Sequence, residues 1–593
     1  MAIVANRGRR DLWLLAAGMM ALAHPAFGQG AAPAAPPEAG QAPKSLLPDM
    51  FDDVPQATVS APLVDTPAAA LPDDPFAGTA TTEETPTEEL AEIKAEDPLA
   101  NLVGPVTLPE NAGTLDDRTG GLGNALFAGS DGRFVGLLLR RIDAPLASRW
   151  LQIMLTRALL TRATPPAGVN PGDWLAARGE ALVAMGAAAD AHRMIARVLP
   201  DRYTEGLYGV AANAAIASGD PLALCPLSQT ARSFIENPFW ELADAMCGSI
   251  EGDEFGASRL FDRLRRSGAV HGFDVGLGER LSSAVGGGRR GANPEWDAVN
   301  SLSAWRIGVA SAAGLEIPDS LVEGATPMQA GWMVRLAGQP IARRAMLMPV
   351  AAGIGAISSS EANRILAASA LELDPSAMAG SPGGQARLAQ AAADMDARQE
   401  ALRGLLGRGK DGSLERYGWQ VAGAISAARI TPGTDRLADA PAIVGALVTA
   451  GLLREAQGWW RLAADASGDV RAGVWALMAP ADTAVPVTSS LYDSWASDVS
   501  AHRAALLAAG LRGLGRGTVG EAPAEIVNDW TRALDAAVAG RRRGEVLALA
   551  ATGMQKGWAN VPPDYLRRIA AAMKAVGLAA EAGLMVSEAA ARG

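Results

Sequence analysis

Three stretches of the chain align on a glycine: 179–195 (GEALVAMGAAADAHRMI), 212–228 (ANAAIASGDPLALCPLS) and 245–261 (AMCGSIEGDEFGASRLF). The central residues, Gly186, Gly219 and Gly252, recur every 33 positions. Seven residues before each lies a small residue (Gly179, Ala212, Ala245), and five after lies Ala191, Leu224 or Ala257. Nine after comes Ile195, Ser228 or Phe261. Small residues on either side of a glycine corner let two antiparallel helices approach closely, and the ninth residue fills the space between neighbouring pairs. One such pair cannot bury its apolar face alone, so the units are expected to stack.

The flanking texture agrees. From about Phe127 onward Ala, Leu, Arg and Glu dominate, with apolar residues recurring at three and four. Trp174, Ala177, Ala181 and Met185 form one helical stripe, and Ala191, Ile195 and Val198 form the next, with Gly186 as the stop between them. Alternating β-branched runs are almost absent. The same frame returns around Gly451 (Ala456, Trp460 and Ala463 at +5, +9 and +12). It returns again around Gly577 (Ala570 at −7; Ala582, Val586 and Ala589 after it).

This frame resembles a degenerate tetratricopeptide repeat, a helix–turn–helix unit of roughly 34 residues. The resemblance is clearest over 168–268 and recurs near 441–466 and 560–592, whereas 286–435 fits poorly. Tyr208 is one survivor of the family's aromatic positions. The resemblance implies an all-α fold, an α-solenoid of stacked antiparallel hairpins over 118–593. It further implies a concave groove that binds a protein or peptide and carries no catalytic residues. The alternative is an irregular all-α protein in which the glycine spacing is coincidental. Residues 286–294 (GGGRRGANP) read as a linker or exposed loop within the body.

Composition bounds the function. The 593 residues carry a net charge of −12, with 49% apolar and 5% aromatic residues. The acidity is local. Residues 29–117 hold 17 Asp and Glu against Lys44 and Lys94, together with 14 of the 37 Pro, and the remainder beyond them is nearly neutral at +1. Such a segment is expected to be a disordered acidic, Pro- and Ala-rich tether. Thr87–Lys94 could form a transient helix, and Phe51, Leu71, Phe76 and Leu90 are apolar points a partner could capture. The balance gives no electrostatic reason to expect nucleic acid.

Ahead of it, residues 1–28 read as an export signal. Arg7, Arg9 and Arg10 precede the 12-residue apolar run Leu12–Ala23, and Ala26-Phe27-Gly28 offers small residues before Gln29. The alternative is an uncleaved anchor. The apolar run 345–357 is short and broken by Pro349, Gly353 and Gly355, so no membrane span is expected in the mature chain. A periplasmic protein of the bacterial envelope follows, with full secretion as the other possibility.

Few residues invite chemistry. Cys225 opens the second helix of one hairpin and Cys247 lies on the following helix, at similar height across antiparallel neighbours. In an oxidising compartment a disulfide is expected, the alternative being two buried thiols. His192, His271 and His502 are solitary, so no metal site or nucleophilic triad assembles from local sequence. Gly121-Leu122-Gly123 lacks the context of a dinucleotide site. Arg541-Arg542-Arg543 is a short basic cluster in an expected turn, suited to an anionic partner, to lipid headgroups or simply to water. Trp174, Trp240, Trp305, Trp332, Trp460 and Trp475 follow helical stripes and are expected to pack between hairpins rather than line a ligand groove; Trp459-Trp460 places one ring in the core and the other elsewhere.

The expected role is a non-enzymatic scaffold that binds an envelope protein or peptide, with no catalytic residue, cofactor or metal. Two alternatives stand beside it. One is an envelope enzyme similar to lytic transglycosylases, some of which carry an Ala-rich helical superhelix; their Glu-Ser signature is not found, and isolated residues such as Glu361 do not replace it. The other is a secreted structural protein with the acidic segment as spacer.

Overall fold

The computed structural model describes residues 107–286, 293–466 and 468–593. The expected leader, nearly all of the expected tether and residues 287–292 of the expected linker lie outside these. Among the described residues every regular element is helical, and the only β-type pairings are two isolated bridges, Leu115 with Thr161 and Asp131 with Ala167. No helix among them is long and apolar enough to cross a membrane.

Helices α1 (Gly132–Arg140) and α2 (Arg149–Leu160) precede the first hairpin, α3 (Pro171–Ala184) and α4 (Ala188–Ile195). Local chemistry starts α3. The Asn170 side chain accepts from Gly172 N–H, and Pro171 occupies the first turn, where a missing N–H costs nothing. Gly186 ends it in the left-handed conformation (φ 81°). Its N–H donates to Val183 O and the next N–H, of Ala187, donates to Leu182 O. This pair of bonds satisfies two of the carbonyls a helix end leaves open.

The same two bonds form at Gly219, Gly252, Gly451 and Gly577, all with positive φ. The spacing frame therefore located real helix corners. The small residue at −7 is needed as well: a Cβ on Gly179 would stand 2.8 Å from both Ile195 Cδ1, the +9 residue, and Val210 Cγ1 of the next helix. The frame is less exact at Gly451, where Trp459 is 1% exposed while Trp460, the +9 residue, is half-buried.

The first two hairpins lie side by side. Helices α3 and α4 both pack on α5 (Glu205–Ala217), whose partner is α6 (Cys225–Arg232). The third pair, α7 (Pro238–Glu251) and α8 (Glu254–Ser267), joins through α6, but α7 then packs on α9 (Gly272–Gly286). The place beside α5 goes to α10 (Ala304–Ala312). Gly308 explains the choice: a Cβ there would lie 1.9 Å from Ile216 O, so α10 meets α5 backbone to backbone. Three hairpins in one row, as the 33-residue spacing suggests, are therefore reduced to two, with the third turned aside.

The span that lacks a clear repeat is also helical. It contains α11 (Pro327–Met333), α12 (Ile341–Ile354), α13 (Ser359–Leu371), α14 (Pro382–Ala391), α15 (Met395–Leu406) and α16 (Leu414–Ala427). Gly355 makes the same corner between α12 and α13. The small residue sits on a neighbour instead, since a Cβ on Gly418 of α16 would be 1.7 Å from Pro349 O of α12.

Then follow α17 (Ala440–Thr449), α18 (Leu453–Ala463), α19 (Asp469–Met478), α20 (Ser489–Ala496) and α21 (Ala501–Gly513). The chain ends with α22 (Asp529–Ala539), α23 (Arg543–Gly553), α24 (Pro563–Ala575) and α25 (Ala579–Arg592).

The row does not stay open. Helix α23 packs on α1 and α2, and α25 packs on α2. Helix α2 has no exposed residue. Its Arg149 donates from Nε to Ala352 O (2.9 Å) and from Nη1 to Thr449 O (2.7 Å), carbonyls in the last turns of α12 and α17 where a cation is favoured. Trp150 lies against the Gly451 corner, and Glu588 of α25 accepts from Ser148 Oγ and from the Arg149 N–H. Helix α2 is thus packed against α12, α23 and α25 and bonded to the end of α17.

One boundary moves. Residues 107–117, assigned by composition to the tether, are packed on the body: Ala112 is fully buried and Leu115 pairs with Thr161. The cause is Arg178, buried in α3, whose guanidinium donates to Leu159 O, Ala112 O and Thr161 O. Burial pushes its pKa down to about 10, so it stays charged at neutral pH and needs those carbonyls.

Candidate functional site

Six residues before the corner glycine stand Glu180 on α3 and Asn213 on α5, one repeat period apart. Because α3 and α5 lie side by side, the two polar side chains reach the same cleft. Helix α11 and the segment before α10 form the opposite wall. Trp332 Nε1–H donates to Val183 O at 3.0 Å, tying α11 to α3. Gly331 lets α11 touch the Gly186 corner, since a Cβ there would be 3.0 Å from Gly186 Cα. Gln329 Nε2 donates to Leu302 O at 2.9 Å, and its Oε1 accepts from Thr326 N–H in a capping box.

The cleft measures about 170 Å³. Val183, Ala184, Leu302, Ala304, Met328 and Trp332 make it largely apolar, with Glu180, Asn213, Ser303 and Gln329 as its polar lining. A second hollow of about 220 Å³ shares Leu302 and Gln329 and adds Asn300, Ser301, Ser320 and Thr326.

Two of the first cleft's four polar side chains are already engaged. Both ends of the Gln329 amide are bonded, and the Ser303 hydroxyl caps Arg306 N–H. Glu180 is different. Burial raises its carboxyl pKa above 4.5, Arg140 opposes this through space, and no hydrogen bond contributes. A half-buried carboxylate without donors is costly to keep, and such groups concentrate at functional sites.

The other well-formed cleft, about 160 Å³ between α15, α16 and the start of α17, lacks this feature. Arg403 donates Nε to Asp439 and Nη1 to Glu400 (3.0 Å), and Gln399 also donates to Asp439. Burial would raise the Asp439 pKa, but Arg403 and Gln399 outweigh it and hold it below 3.8. Arg416 is engaged by Gly407 O and Asp411. These charges satisfy one another.

The residues singled out by sequence are scattered. Cys225 and Cys247 are bonded, with Cα atoms 5.3 Å apart, and staple α6 to α7 away from the cleft lining. His192 Nε2 lies 3.2 Å from Asp220 Oδ2, linking α4 to the Gly219 corner. His271 Nδ1 accepts from Phe273 N–H, and His502 Nε2 is 3.1 Å from Trp558 O. No group of three or more His, Cys, Asp and Glu side chains converges among the described residues.

Arg541-Arg542-Arg543 is the corner between α22 and α23. Arg541 takes the left-handed conformation (φ 53°), Arg542 pairs with Glu545, and Arg543 reaches Leu122 O and Gly577 O. Two of the three cations thus hold the fold. Glu361 is paired with Arg335 at 3.2 Å. Trp174, Trp240, Trp305 and Trp475 are buried between helices, with Trp240 and Trp305 both edge-on to Phe239. Trp332 alone among the named tryptophans also lines the cleft.

No motif singles out Glu180 and Asn213, although their 33-residue spacing follows directly from the glycine frame. No family model matches the chain, and neither a curated protein nor a solved structure matches it.

Proposed function

We propose that this chain is a non-enzymatic binding module of the bacterial envelope, a degenerate tetratricopeptide-like solenoid that engages a protein or peptide partner. The repeated glycine corners and the side-by-side packing of α3 to α5 support the solenoid reading. The observation that carries the binding reading is the pair Glu180 and Asn213, one period apart and facing one cleft. Helix α2 is packed within the fold, so this cleft, which α2 does not line, is the surface we assign to the ligand. If residues 1–28 act as the export signal their pattern suggests, the partner is met in the periplasm.

In-cell cross-linking from a photoreactive residue at Asn213, followed by affinity purification, tests this. One reproducible envelope protein is the expected outcome. Adducts no different from those formed at an exposed position outside the cleft, such as Arg259, would overturn it.

One observation favours an enzyme of lytic-transglycosylase type: a carboxyl group with raised pKa in a cleft suits a general acid. Peptidoglycan release abolished by Glu180→Gln would promote that reading.

A further inference from the structure

The cleft between α3, α5 and α11 has a chemical preference. Its walls, Val183, Leu302, Met328 and Trp332, suit a chain of methylenes. At its α3 and α5 side stand Glu180, which accepts and cannot donate when ionised, and Asn213, whose amide oxygen accepts one further bond. About 170 Å³ is the scale of one long side chain, too small for a helix.

We propose that this cleft is a subsite for a basic side chain, a lysine or arginine presented by the partner polypeptide. The proposal rests on the binding reading above and names what is bound. The stem lies along the apolar walls, and the charged head meets the Glu180 carboxylate with Asn213 taking a second hydrogen. An anionic group is excluded by Glu180. The chain's own acidic segment is a poor occupant for the same reason, since residues 29–117 hold 17 Asp and Glu against two Lys. Charge-assisted bonds gain strength where water is displaced, and an apolar-walled slot provides that.

The test uses full-length protein and the peptides acetyl-Gly-Gly-X-Gly-Gly-amide, with X as Lys, Arg, citrulline or Glu, titrated by saturation-transfer NMR. The Lys or Arg peptide should bind at least tenfold more tightly than the citrulline and Glu peptides, and more weakly as salt rises. Glu180→Gln should remove that tenfold preference at unchanged helical circular dichroism. Ala184→Leu, which fills the cleft, should abolish binding; Asn213→Leu replaces it if that variant does not fold.

Equal binding of Arg and citrulline peptides, lost in Ala184→Leu, would overturn the basic-side-chain assignment and leave the binding reading standing. Binding indifferent to Ala184→Leu, or no binding of any peptide, would overturn both.

Discussion

Glu588, in the last helix, caps the first turn of α2: its Oε1 accepts from Arg149 N–H at 3.0 Å and its Oε2 from Ser148 Oγ at 2.7 Å, across 439 and 440 residues. Arg592, one turn on, donates to the same carboxylate at 2.6 Å. The carboxylate is buried and fully engaged, so its removal orphans several donors at once. Glu588→Ala should destabilise by about 3–5 kcal/mol in denaturant unfolding, the range for breaking a buried, paired charge. Glu588→Gln should lie between that and wild type. A change within about 0.5 kcal/mol would show that the closure is dispensable.

The glycines give a matched pair. Gly418→Ala must move α12 against α16, because its Cβ meets Pro349 O at 1.7 Å. A loss of about 1–3 kcal/mol is expected, as for other overpacked interiors. Gly136→Ala in α1 meets nothing within 4 Å and should stabilise by about 0.4–1 kcal/mol through the unfolded chain. Melting temperatures of the two variants should move in opposite directions.

Cys225 and Cys247 close a loop with a sequence separation of 22. Intact-mass measurement after alkylation without reductant should show no modified thiol. With reductant, two should appear and stability should fall by about 3 kcal/mol on the loop-entropy account. Two alkylated thiols in protein purified without reductant would remove the pair from the structure.

Two carboxylates should answer pH with opposite sign. The Asp564 side chain is 1% exposed. Burial alone would raise its pKa, but Ile526 N–H, Arg567 and Arg568 outweigh it and hold it below 3.8. Its contribution is present above pH 3.8 and is lost as pH falls through the folded value. Glu180 runs the other way: with its folded pKa above 4.5, its contribution is present below 4.5 and lost as pH rises through the folded value. At neutral pH Asp564→Asn should therefore destabilise and Glu180→Gln should stabilise modestly, the two effects converging toward zero in acid. A Glu180→Gln variant less stable than wild type at pH 7 would show that the carboxylate serves the fold.

Much of the helical scaffold was legible because a left-handed corner selects glycine. Gly186, Gly219, Gly252, Gly451 and Gly577 could be read from spacing with small residues around them. Gly314, Gly355 and Gly515 make the same hydrogen-bonded corner but escaped, as Gly355 shows: Met348 and Ser360 occupy its −7 and +5 positions. The corner at Arg541 is legible as a turn but not through the glycine frame, because it holds no glycine in the left-handed position. Half of the cleft, Glu180 and Asn213, was implicit in the 33-residue period. The other half was not. Leu302, Gln329 and Trp332 come from a stretch without periodicity and reach the cleft through the Gly331 contact, the Trp332 bond to Val183, the Gln329 bond to Leu302 and the Arg335–Asp190 ion pair, which no local pattern announces.

The central position of α2 also limits how this architecture can change in length. In an open array each unit meets only its neighbours, so a hairpin can be gained or lost with little disturbance elsewhere. Here Arg149 holds the ends of α12 and α17 while Glu588 returns from the last helix to the same turn. Inserting or deleting a pair of helices before any of these attachments would shift it relative to α2, so the length of the array is constrained by what α2 must reach as well as by the sequence of each repeat.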